Sequence, residues 1–110
     1  MKLNKEAFAH AKSLIESGKV VKDSDWSEIQ PSTDEENKYL GDDNYDKYGK
    51  WFLALDTDEN EGTKGHYNFP YGDFDKVHRS ALIAAKQRAG QYDYTDIEDA
   101  ADKLIEQIDQ

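Results

Sequence analysis

The chain has no cysteine, which excludes disulfides and thiolate zinc sites. It has no long apolar run, so no segment reads as a membrane span. Its first residues, "MKLNKEAFAHAK", alternate charge with apolar side chains and lack a hydrophobic signal core. A cytoplasmic location is the expectation. Leu, Ile, Val and Phe are also sparse, 20 of 110 residues, which with high net charge touches the compositional border of disorder. Bases are outnumbered: 14 Lys and Arg face 24 Asp and Glu, for a formal net charge of -10.

Aromatics offset the shortage of aliphatics. Two tryptophans and seven tyrosines supply large buriable surface, roughly 150–250 Å² each. A length of 110 residues fits one small domain, residues 1–110. The expected class is α+β.

The acids are clustered. Asp23, Asp25, Glu28, Asp34, Glu35, Glu36, Asp42, Asp43 and Asp46 face only Lys38 between them. Seven more follow from Asp93 onward, against Lys103. Such a surface disfavours nucleic acid and anionic lipid, and is compatible with a basic protein partner or with plain solubility.

Asn4 has the chemistry of a helix N-cap, with Leu3 and Phe8 at staple spacing. Phe8, Ala11 and Ile15 make one face of an N-terminal helix that stops at Gly18. His10 lies off that stripe and reads as a half-buried or exposed side chain. The stretch 30–46 reads as a flexible acidic loop, anchored by Trp26 and Ile29. A β-hairpin is expected over about 50–56 and 65–70, with both faces of "YGKWFLALD" apolar. An antiparallel αα-hairpin is expected over about 74–89 and 96–108. Asp73 would cap its first helix and Gly90 end it; Thr95 and Glu98 are spaced as a capping box for the second.

The hairpin tip "DTDENEG" resembles a calcium loop, since Asp56, Asp58 and Asn60 alternate as ligands do. Its sixth position is Glu61 where glycine is required, and its twelfth is Tyr67 where a bidentate Glu is required. A polar tip is therefore expected, with no metal and no cofactor. There is no phosphate loop, nucleophile elbow or His-Glu-x-x-His. His66 and His78 have Asp73 and Asp75 as nearby carboxylates, but their spacing specifies no catalytic group. A non-enzymatic protein is expected.

One segment has no acid at all: "KVHRSALIAAKQRAGQ", Lys76 to Gln91, with four bases. At about 100° per residue, Lys76, Arg79, Ile83 and Lys86 share a strip, while Phe74, Val77, Ala81, Ala84 and Ala85 fill the opposite arc. Arg88 falls among the alanines, and Ile83 among the bases, which implies a second packing surface. On the last helix Asp99, Asp102, Glu106 and Asp109 repeat the three-then-four spacing. Antiparallel packing would pair Lys76 with Asp109, Arg79 with Glu106, and Lys86 with Asp99. A nucleic-acid-binding module would instead need Lys76, Arg79 and Lys86 free.

The motifs "WFLALDT", "HYNFPYGDFDKVHRSALIAAKQRAGQ" and "TDIEDAADKLIEQID" resemble a small domain of bacteriophages and prophages. That domain is found alone or associated with the prohead (capsid-maturation) protease proteins of tailed phages. The resemblance covers about the last 60 residues, and the N-terminal helix with Asp25–Trp26 more loosely. It implies an accessory protein of the bacterial host cytoplasm, acting through contact with a phage head or scaffold component, or a host protein. It lends no catalytic residue. An acidic inhibitor that mimics nucleic acid is the alternative.

Overall fold

The computed structural model describes residues Met1–Gln110. The order is β1 (Lys2–Leu3), α1 (Lys5–Glu16), β2 (Val20–Val21), α2 (Trp26–Ile29), α3 (Thr33–Leu40), α4 (Tyr45–Gly49), β3 (Phe52–Leu55), β4 (Tyr67–Pro70), β5 (Val77–His78), α5 (Arg79–Gln91) and α6 (Thr95–Ile108). This is an α+β fold. No helix is long and apolar enough to cross a membrane.

Helix α1 begins and ends as its sequence dictates. The Asn4 side chain accepts from the Ala7 N–H, while its Nδ2 donates to the carbonyls of Gly49 and Phe52 at 2.9 and 3.0 Å. Gly18, at φ 78°, supplies the left-handed residue of a Schellman stop. The Gly18 N–H returns to Ile15 and the Lys19 N–H to Leu14.

Strand β3 is the centre of a three-stranded antiparallel sheet, ordered β1–β3–β4. A central strand with helices on it needs two apolar faces, and Phe52, Leu53 and Ala54 are all buried. The hairpin β3–β4 pairs Phe52 with Pro70 and Leu55 with Tyr67, as the sequence suggests. Strands β2 and β5 form a separate parallel pair, Val20 opposite Val77. Helices α5 and α6 pack as an antiparallel hairpin: Arg79 at the start of α5 meets Asp109 just past α6. Tyr48, Tyr71, Leu53, Leu82, Ile97 and Leu104 are among the fully buried side chains between these layers.

Several expectations are corrected. The acidic stretch 30–46 is not a loop but carries α3 and the start of α4. Ser32 and Glu35 form a capping box, and Asp34, Glu35 and Glu36 sit in the first turn, where the helix dipole favours acids. Tyr39 locks the far end, accepting from Trp51 Nε1 at 3.0 Å and stacking on Phe74. Of its two expected anchors, Trp26 is buried, whereas Ile29 is exposed.

Helix α5 starts at Arg79, not near residue 74. Asp73 caps a turn instead: its carboxylate takes the N–H groups of Asp75 and Lys76. Phe74 stands at φ 68°, and Val77–His78 then peel off to pair with β2. The helix also runs through Gly90 to Gln91, and the left-handed residue of the reversal is Asp93. No side chain caps α6, so the Thr95–Glu98 box is absent.

Candidate functional site

The expected charge strip is realised in part. Arg79 donates to both Asp109 oxygens, at 2.9 and 2.8 Å, rather than to Glu106. Lys86 donates to Asp102 at 2.6 Å, rather than to Asp99. Both partners lie three residues further along the chain than the expected ones. The extra residue of α5 and the reversal at Asp93 slide α6 by nearly one turn. Lys76 is on the Asp73 turn, exposed, and makes no ion pair with Asp109. Asp99 and Glu106 are exposed and take no ion-pair partner. Two of the three bases required for a nucleic-acid strip are thus engaged by α6. Their pKa values are raised, first by those hydrogen bonds, and Arg79 holds the Asp109 carboxyl below its usual range.

A second cluster is one the spacing only hinted at. His78 is 4% exposed. Its Nε2 meets Asp73 Oδ2 at 2.9 Å and its Nδ1 meets Ser24 Oγ at 2.8 Å; Ser24 in turn lies 3.0 Å from Ser80 Oγ. An ionised Asp73 accepts from Nε2–H, which leaves Nδ1 to accept from the Ser24 hydroxyl. Burial alone would raise the Asp73 pKa, but the Lys76 N–H and His78 outweigh it and the net shift is downward. These residue types match a hydrolytic triad. None of the four lines the groove between β4 and α5. They act as a clasp that fastens the β2–α2 connection to the start of α5. The other histidines are likewise engaged in packing. His66 Nδ1–H donates to the Asp56 carbonyl at 2.8 Å and closes the hairpin. His10 is half-buried, with Nδ1 2.9 Å from the Tyr71 hydroxyl. The Asp56 carboxylate accepts from the Asp58 N–H within its own tip.

A groove of about 380 Å³ lies between β4 and α5. Asn68, Phe69 and Pro70 form one wall; Ala81, Ala84, Ala85 and Arg88 form the other. Trp26, Tyr92 and Tyr94 extend it with aromatic rings. Tyr92 is 56% exposed and stacks on Tyr94, while the Arg88 guanidinium lies 6.0 Å from the Tyr92 ring centre. Phe69 sits at φ 63°, a conformation that costs a bulky residue about 1–3 kcal/mol. The lining also holds Gln30, Glu36, Tyr67 and Asn68, with no serine, histidine or aspartate. Its rings and the Arg88 guanidinium suit apolar and cation–π contacts, and Gln30, Glu36 and Asn68 add polar ones. One sequence signal pointed here: Arg88 among the alanines of α5. The long-range placement of Trp26 and Phe69 left no local signature.

Comparison with protein-family models, with curated proteins and with solved structures finds no match for this chain.

Proposed function

We propose that this chain is a non-enzymatic accessory domain, of the phage or prophage kind its sequence resembles, that acts by contact with a basic protein in head assembly. The observation that carries the reading is the groove beside α5, open and edged by the aromatic rings of Trp26, Phe69, Tyr92 and Tyr94. The net charge of -10 supports a basic partner, by complementary fields. The test is an affinity pull-down from phage-producing cells, run with the wild type and with Ala84→Phe, which fills the groove from an exposed helical position. Head or scaffold proteins recovered by the wild type and lost with the variant support the reading. Recovery that is the same for both chains contradicts it.

A second reading, the nucleic-acid mimic, is favoured by one feature. Asp34, Glu35 and Glu36 stand on a capped helix rather than on a loop. Neutralising Asp34, Asp42 and Asp43 to Asn would then abolish a salt-sensitive complex with a nuclease, while Ala84→Phe would leave it intact.

A further inference from the structure

We infer that the groove captures the free C-terminus of the basic partner, with the terminal carboxylate on Arg88 and a bulky apolar last side chain between β4 and α5. The inference rests on the protein-contact reading above and names the part of the partner that is held.

Arg88 is the one exposed charge of the lining without a partner. Its own helix offers it no acid: Ala84, Ala85, Gln91 and Tyr92 fill the positions three and four residues away. Arg79 and Lys86, the other bases of α5, are taken by Asp109 and Asp102. The other charge in the lining, Glu36, is met by Lys64 at 3.5 Å. The Arg88 guanidinium lies 6.0 Å from the Tyr92 ring centre, and its planar fork of N–H donors meets no carboxylate of the chain. That fork matches a carboxylate through two parallel hydrogen bonds.

Size and backbone select a chain end. The α5 wall runs from Ala81 to Arg88, ~10 Å of helix, the reach of about three extended residues. A strand passing along β4 would find few partners there. Phe69 is left-handed, Pro70 has no N–H, and the Tyr67 N–H is already bonded to the Lys64 carbonyl. A terminus leaves the fewest backbone groups unmet. Phe69 is held in the β4 wall at φ 63°, a backbone cost of the kind that collects at binding sites. The net charge of -10 chooses the source of the carboxylate. Its field repels a small free acid and attracts a basic chain that carries one carboxylate at its end.

The probe is a short lysine-rich peptide that ends in phenylalanine with a free carboxylate. It is titrated into the full isotope-labelled chain and followed by amide shift mapping. Shifts centred on Ala84, Arg88 and Tyr92 are expected. Arg88→Gln and Ala84→Phe, both at exposed helical positions, should each weaken binding at least about tenfold, with thermal melts reporting that the variants fold. The same peptide as a C-terminal amide should lose as much against the wild type, a comparison that needs no variant. Equal affinity for the amide overturns the terminus, as does equal affinity for an amide with aspartate after its phenylalanine. Tighter binding of free N-acetylphenylalanine overturns the choice of source. Shifts elsewhere, binding unaltered by both variants, or no binding overturn the site. The pull-down separates the two claims. Head proteins lost with Ala84→Phe but kept with Arg88→Gln leave protein contact standing and remove the captured terminus.

Discussion

At the residue scale, Asn4 ties the start of α1 to the chain around β3. It is buried, caps α1 and bonds two carbonyls across the β3 side of the fold. Asn4→Ala removes a cap and leaves buried carbonyls short of a donor. A loss of about 2 kcal/mol is expected, read by urea denaturation. Buried tyrosines set the alkaline limit. Burial pushes the Tyr71 hydroxyl far above its ordinary value, and Tyr48 and Tyr67 shift the same way. The fold disfavours their ionised forms. Their contribution is complete below about pH 10 and falls as pH rises further. Tyr71→Phe loses about 1 kcal/mol at neutral pH, because Tyr71 donates to the Lys50 carbonyl at 2.6 Å, but its alkaline decline is shallower. His10 acts in the opposite direction. Burial holds its pKa below 6.5, so its contribution is present above that pH and falls as the solution is acidified. A series of melts from pH 5 to 11, about the range these groups span, checks both signs.

At the element scale, two charge pairs fix how α5 and α6 lie together. Arg79→Glu should lower the melting temperature and Asp109→Arg in the same chain should restore it. Asp109→Arg paired with wild-type Arg79 should not. The restoration should fade at high salt, because both groups are exposed to solvent. Helix α3 depends on its box: Ser32→Ala should cost about 1 kcal/mol and speed amide exchange across Thr33–Leu40 first. Elements with strong local chemistry were legible in the sequence. Asn4 and Gly18 bracket α1; a short run with both faces apolar marks β3; apolar periodicity marks the α5–α6 pair. Helix α3 was legible too, since Ser32 and Glu35 have box spacing, but its density of acids masked it. The parallel pair β2–β5 was not legible. It is two residues long on each side and joins positions far apart in the chain, so no local pattern carries it. The helix register failed for a related reason. It is set by one left-handed residue, Asp93, and asparagine or aspartate in that conformation has no obligatory neighbour pattern.

At the scale of the whole molecule, the acid-free segment serves two ends. Arg79 and Lys86 pair with the chain's own acids at the surface and relieve repulsion across α6. The alanine face of the same helix is left to form a groove with Phe69 and the aromatic residues around it. The candidate site was the least legible part, because Trp26, Phe69 and Tyr92 converge from three separate elements. A contact surface there, rather than at Lys76 on the Asp73 turn, is the central claim. The direct measurement is site-specific photocross-linking in phage-producing cells, with the reactive side chain at position 92 or at position 76. Discrete protein adducts from position 92, and none from position 76, are the result the account predicts. Adducts concentrated at position 76, the one base of the expected strip left unpaired on an exposed turn, would contradict it.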